Sequence, residues 1–225
     1  MNKDLRKILA FPYILWMIGF TIIPLSLIFI YGLTDRSGSF TLSNVLSIFA
    51  KDHFKALLLS IILSIVSTAI CLVMAFPLAL TLKSKKLNKG SLIVFIFILP
   101  MWMNFLLRTL AWLSLLEKNG IINTILNFLH LPSLNIINTP AAIILGMVYN
   151  YLPFMVLPIY NVLEKIDDNT INAARDLGAN TMQTLTKVII PLSIPGIVSG
   201  ITMVFVPALT TFVISNILGG SKVLL

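Results

Sequence analysis

Residues 171–197 read INAARDLGANTMQTLTKVIIPLSIPGI, a polar and charged stretch set between two long apolar runs. Ile171, Ala174 and Leu177 recur at helical spacing, and Met182, Leu185 and Val188 or Ile189 do so again beyond Gly178. The spacing predicts two short helices. Asp168 or Asn169 is placed to cap the first and Asn180 or Thr181 the second. Gly178 supplies a C-terminal stop, and Pro191 is expected to end the second helix before the next apolar run. Such a break is either an amphipathic loop lying on a membrane surface or a docking surface for a partner.

The rest of the chain explains why a membrane is involved. Of 225 residues, 58% are hydrophobic and 11% charged, against roughly 45–50% and a quarter in ordinary globular domains. Five runs approach the roughly 20 apolar residues that a helix needs to cross a hydrocarbon core of about 30 Å: 8–33, 56–82, 91–115, 140–163 and 194–217. The first follows MNKDLRK but is too long for a signal-peptide core and has no clear small-residue cleavage site, so it reads as retained. An all-α integral membrane protein, a single transmembrane domain over 1–225, is expected.

Charge sets the expected orientation. The loop KSKKLNKG carries Lys83, Lys85, Lys86 and Lys89, the densest basic cluster, which belongs in the cytoplasm by the positive-inside rule. Alternation then puts the N-terminus and the loop 164–193 inside and 34–55 and 116–139 outside. Ten basic residues fall inside (Lys3, Arg6, Lys7, the four loop lysines, Lys165, Arg175, Lys187) and five outside (Arg36, Lys51, Lys55, Lys118, Lys222). The net charge of +8 is therefore an orientation signal rather than a nucleic-acid footprint. Cys71, the one cysteine, lies inside an apolar run and reads as a small packed hydrophobe.

The string Ala173-Ala174-Arg175-Asp176-Leu177-Gly178-Ala179, followed by Ile190-Pro191-Leu192 and Pro195-Gly196, resembles the EAA loop of type I ABC-importer permeases. Asn172 stands where the name-giving glutamate would be. The segments 98–112, 119–129, 153–167 and 217–225 extend the likeness to the permeases of spermidine/putrescine importers, the first of the two permease subunits. The resemblance implies a bundle of five or six core helices and a cytoplasmic coupling helix that seats in an ATP-binding subunit. It also implies a second permease subunit, an ATPase homodimer inside and an extracytoplasmic polyamine-binding protein. Such permeases have a further helix beyond the point where this sequence ends, so the chain is expected to be C-terminally truncated.

A polyamine pathway would most simply use carboxylates, but all eight (Asp4, Asp35, Asp52, Glu117, Glu164, Asp167, Asp168, Asp176) fall at span ends or in loops. Aromatic faces and neutral oxygens must then serve, at roughly 0.5–2 kcal/mol per ring for a cation. The candidates are Trp102, Asn104, Phe105, Tyr149, Asn150, Tyr151, Thr210, Phe212 and Ser215. Each has a plain structural reading too, as an interfacial aromatic or an interhelical hydrogen bond. Arg108 is expected roughly 25 Å along its helix, near the outer boundary, either as a snorkelling anchor or as an outer-gate or binding-protein contact. Pro77, Pro100, Pro153, Pro158 and Pro207 sit in or at the edge of spans and free backbone carbonyls. Gly196 and Gly200 form a small-xxx-small pair suited to close helix contact.

Catalysis has little support. His53 and His130 lie in expected outer loops, and no phosphate-binding G-x-x-x-x-G-K-[ST] loop occurs, so neither ATP, a metal nor another cofactor is expected to bind here. An ion-coupled secondary transporter would need intramembrane ionisable groups or inverted repeats, and neither is visible. A membrane scaffold would suit the composition equally but gives no reason for the pattern over 173–196.

Overall fold

The structure, a computed structural model, describes residues 11–35, 37–84, 99 and 101–220. Arg36, Pro100, Lys222, the basic residues Lys3, Arg6, Lys7, Lys85, Lys86 and Lys89, and positions 91–98 of the third run lie outside them. The chain divides into two compact units, Met1–Leu57 and Leu58–Leu225. Among the described residues it is helical throughout, with one isolated bridge between Thr34 and Phe40.

In the first unit α1 (Phe11–Gly32) is apolar around its circumference, as a lipid-embedded helix should be. A π-turn at Ile18–Ile22, in which the Ile23 N–H bonds the Ile18 carbonyl, comes immediately before Pro24. The Asn44 side chain donates to the Tyr31 and Thr34 carbonyls at 3.3 and 3.0 Å, covering polar groups freed at the end of α1.

α2 (Lys51–Ser84) is longer at both ends than the expected 56–82. Its buried face is a ladder of small residues, Ser64, Ser67, Thr68, Cys71, Ala75 and Ala79, with Leu63 and Leu82 at the ends. Small side chains let backbones approach where no hydrophobic effect drives helices together. The ladder meets α5 (Pro140–Glu164): Ser67 Oγ donates to Met147 Sδ at 3.3 Å, and Cys71 Sγ lies 3.9 Å from the Val148 carbonyl. Cys71 is thus packed as a small hydrophobe, fully buried.

α5 is the centre of the second unit, with Ile143, Met147, Met155, Ile159 and Leu163 enclosed. α7 (Thr181–Thr210) runs against it. A Cβ at Gly200 would lie 2.7 Å from Met155 Sδ and 3.2 Å from the Met155 carbonyl, and one at Gly196 would lie 2.8 Å from the Pro158 carbonyl. The small-xxx-small pair therefore sets the α5–α7 contact. α8 (Phe212–Leu218) packs on the opposite half of α5, where a Cβ at Gly146 would strike Leu218 at 2.5 Å.

Three expectations need correction. The run 194–217 is not one helix: the chain leaves helical geometry at Thr211 (φ −82°, ψ 100°) and restarts as α8. The run 91–115 is interrupted as well, because Asn104 (φ −56°, ψ 127°) caps a new helix, α3 (Phe105–Leu116). Pro191 does not end a helix. A π-turn at Leu185–Ile189, with the Ile190 N–H bonded to the Leu185 carbonyl, widens the backbone just before the proline, and α7 continues through it. A proline that follows a π-turn meets no carbonyl at the usual four-residue spacing, so the clash that breaks a helix is relieved.

The loop 116–139 contains α4 (Ile121–Phe128), which charge and hydropathy did not announce. It is pinned by Asn123, almost fully buried, which donates to the Glu117 and Leu134 carbonyls (both 3.0 Å) and accepts from the Leu134 N–H at 2.6 Å. Asn123→Ala should leave these backbone groups unpaired, at about 1–3 kcal/mol per buried group, and proteolysis of 117–134 should rise sharply. Gly200→Leu should lower the thermal stability of the detergent-solubilised chain by about 1–3 kcal/mol, whereas Ser199→Val, on the exposed side, should not; fluorescence-detected size exclusion after heating reads both.

Candidate coupling corner and intramembrane polar site

The opening stretch forms a helical corner whose every turn has a local cause. α6 (Asp168–Asp176) is capped by Asp167, one residue earlier than expected, through its carboxylate and the Asn169 N–H at 2.9 Å. Asp168 in its first turn and Arg175 in its last both suit the helix dipole. Gly178 has φ +86°, its N–H bonds the Arg175 carbonyl at 2.9 Å, and the Ala179 N–H bonds the Ala174 carbonyl at 3.0 Å. This is a Schellman stop, which needs a left-handed residue. Asn180 and Gln183 then form a reciprocal capping box at 2.8 and 2.9 Å, and α7 begins. Of the expected caps, Asn180 is in place, whereas Asp167 caps the first helix instead of Asp168 or Asn169.

The corner is bound to the bundle at its base and free at its tip. Lys83 at the end of α2 donates to the Ile166 carbonyl at 2.7 Å and lies 4.0 Å from the Asp168 carboxylate. Ile171 turns inward onto the core and Ala174 is half-buried. Asn172, Ala173, Arg175, Asp176 and Gly178 are exposed, Ala179 is half-buried, and Pro191 is exposed on α7. Leu177 departs from its expected place on the inward face. It caps the end of α6 at the point where Gly178 reverses the chain, and it is 90% exposed. Met182, at the start of α7, is exposed as well, so the corner carries two large apolar side chains without cover among the described residues.

Deeper in the bundle, the structure brings together some of the candidate pathway residues and separates others. The Tyr151 hydroxyl donates to the Pro207 carbonyl at 3.3 Å, one turn before the break at Thr211, and the Thr210 hydroxyl lies 3.4 Å from the same oxygen. The Tyr151 ring stacks on Phe105, centroids 6.5 Å apart. Arg108, on α3, is within electrostatic reach of Tyr151. Its side chain is 6% exposed, so it does not snorkel. The depth expected for it assumed an unbroken helix; with α3 starting at Phe105, Arg108 lies one turn inside that helix. Its Nε and Nη1 have no hydrogen-bond partner among the described residues, and neither has the Oδ1 of Asn150, whose amide donates to Gly146.

Asn104 is engaged as the cap of α3, accepting from Leu106 and Leu107. Tyr149 lies edge-on to Trp112 at 5.3 Å, away from Tyr151. Trp102 and Phe212 are largely exposed, Thr210 bonds the Val206 carbonyl, and Ser215 is buried against the Phe212 carbonyl. A cleft of about 510 Å³ between α5 and α7 is lined in part by Asn161, Ser199, Pro158 and Pro195. Asn161 and Ser199 were not picked out by sequence, because an isolated Asn or Ser in an apolar run has no local signature until a neighbouring helix is placed. His53 lies within α2 and His130 follows α4 at φ 58°. Among the described residues no three metal-ligating side chains cluster.

A capped, reversing corner continuous with a membrane helix, in an all-helical apolar bundle, is the plan of an importer permease subunit. Residues 59–224 match the family of binding-protein-dependent transport system inner membrane components, and the chain belongs to that family. It is 36% identical over 233 residues to the spermidine/putrescine transport system permease protein PotB of Haemophilus influenzae, covering 100% of this chain and 82% of that protein. The PotB protein of Escherichia coli is 37% identical over 93% of this chain and 79% of its own length. A PotB homolog of Mycoplasma genitalium is 32% identical over 95% and 74%. The chain is thus a membrane-embedded permease subunit of an ABC import system.

A buried guanidinium with two unpaired nitrogens is destabilising, and exchange of buried charge for apolar volume commonly stabilises by about 1–4 kcal/mol. Arg108→Met should therefore raise the melting temperature of the purified chain while impairing uptake by the assembled transporter. Unchanged uptake would remove Arg108 from the gate.

Proposed function

We propose that this chain is one of two permease subunits of an ATP-driven importer of spermidine and putrescine. Its N-terminus and the 164–193 corner face the cytoplasm, where a homodimeric ATP-binding subunit hydrolyses ATP. An extracytoplasmic polyamine-binding protein delivers the solute from the other side of a bacterial cell membrane. The PotB likeness over the whole chain supports the substrate class, and the excess of basic residues on the corner's side supports the orientation.

The observation that carries the coupling role is the continuity of the corner with α7. From Thr181 to Thr210 one helix of 30 residues runs about 45 Å, through Pro191 and past Gly200. Force on Leu177 and its neighbours 172–179 would pass along it to the break at Thr211 and the Tyr151–Pro207 bond. In this reading closure of the ATPase dimer rocks α7, and Phe105, Arg108, Tyr151 and the other candidate pathway residues line or gate the route. Weak neutral and aromatic contacts suit a path that must release its cargo.

A related importer for another small solute is the alternative, since no carboxylate lies within the spans to demand a polycation. Uptake of radiolabelled spermidine, putrescine and a non-amine control by the complete complex separates the two. A side chain at Gly178 meets no atom within 4 Å but must adopt φ +86°. Its effect is therefore backbone strain of about 1–2 kcal/mol, enough to disfavour the reversed corner about tenfold. Gly178→Asp should lower uptake by at least that factor with normal membrane insertion. Persisting uptake after deletion of 173–178 would refute the coupling role.

A further inference from the structure

Two concavities follow one another along α2, the first closed by α6 and the start of α7 and the second by α7 alone. The first, about 360 Å³, sits at the corner's base and is lined by Leu80, Lys83, Asp168, Asn172, Arg175 and Ile189, with Ile171 beside them. The second, about 330 Å³ and almost wholly apolar, is lined by Leu72, Val73, Phe76 and Pro77 of α2 and Ile190 and Ile197 of α7. Leu80 lies one helical turn beyond Phe76, and Ile189 adjoins Ile190, so the polar pocket opens onto the apolar groove. From Lys83 back to Leu72 the pair spans about 16 Å.

We propose that this is a binding site for one anionic phospholipid, its phosphate in the Lys83–Arg175 pocket and an acyl chain along the α2–α7 groove. The donors favour it: Lys83 and Arg175 line the pocket with Asp168, and the second carboxylate acting on Lys83, Asp167, is engaged at the start of α6 by the Asn169 N–H. One of the three Lys83 N–H donors is taken by Ile166; the Asp168 oxygen at 4.0 Å is beyond hydrogen-bond distance, which leaves donors for a phosphate oxygen. Asn172 adds a neutral amide donor. The groove favours it as well. Val73, at its far end, is 72% exposed, and an acyl chain covers such a surface without needing polar partners. A headgroup pocket at the end of a membrane helix, continuous with an apolar channel running into the hydrocarbon, fits the two-part chemistry of a phospholipid and neither a free anion nor a soluble peptide. Basic pockets between helices at the membrane boundary are established lipid-headgroup sites. The lipid would wedge between α2 and α7 beside the corner's base. This inference rests on membrane embedding alone and not on the transported solute or on coupling.

The test uses the full chain assembled with its partner subunits. A photoreactive phenylalanine analogue at Val73, irradiated in native membranes, should give an adduct of phospholipid mass; an adduct to a polypeptide would overturn the proposal. In a second arm the complex is reconstituted in nanodiscs of phosphatidylglycerol or phosphatidylcholine, and retained lipid is counted by native mass spectrometry. Phosphatidylglycerol should be retained in preference, and Lys83→Gln combined with Arg175→Gln should reduce that preference about thirtyfold. Equal retention of the two lipids, or a preference unaltered by the double substitution, would overturn it. Inorganic phosphate at millimolar concentration should not displace the lipid; displacement would reassign the pocket to a free anion.

Discussion

The approach of α7 to α5 at Gly196 and Gly200 is the contact on which the rest of the second unit depends. Within a bilayer no water is displaced when helices meet, so adhesion comes from close packing and from hydrogen bonds that lipid cannot supply. With no side chain at either glycine, the α7 backbone reaches the Met155 and Pro158 carbonyl atoms directly. That proximity fixes the level of α7 along α5. It places Thr211 beside Tyr151 at one end and the corner beside Lys83 and Ile166 at the other. The α2 ladder from Ser64 to Ala79 applies the same device to another face of α5.

Prolines would ordinarily cut such long helices into pieces. The sequence Ile-Ile-Pro-Leu occurs twice, at 22–25 and 189–192, and in both copies a π-turn ends at the first isoleucine. In each, the N–H just before the proline reaches five residues back. The bundle therefore keeps two proline-containing helices intact while giving each a local change of phase. Near the break at Thr211, side-chain hydroxyls of Tyr151 and Thr210 cover the Pro207 carbonyl. Irregular backbone inside a membrane is tolerated only under that condition.

Arg108 and Asn150 stand out against this economy of polar groups. Both are enclosed, and both keep atoms without partners among the described residues; Asn150 directly precedes Tyr151, whose hydroxyl reaches the helix end at the Thr211 break. A bundle selected for stability alone would have replaced them. Unsatisfied polar groups at a structural discontinuity are the usual mark of a site that works by rearrangement. The proposed gate lies there, and the exposed Leu177, just before the other end of α7, is its proposed mechanical counterpart.

Much of this was legible in the chain. Composition and run length specified a helical membrane protein, and the stop at Gly178 and the small pair Gly196 and Gly200 were readable because each acts through its own backbone and nearest neighbours. Asn180 was readable as a cap for the same reason, while Asp167 was missed by a single residue. The string around 173–179 carried the family likeness for a related reason, since a capped, reversing corner is a contiguous segment. Other features depended on elements distant in sequence. Whether Arg108 snorkels or is enclosed, whether Asn123 pins a loop or faces solvent, and which of Tyr149 and Tyr151 meets the broken helix are settled by helices that arrive from elsewhere in the chain. The sequence by itself determined which segments are helical and what solvent surrounds them, because hydropathy and capping act over a few residues. Only the tertiary structure decided which polar groups find partners, because a hydrogen bond or a buried charge is defined by what packs against it.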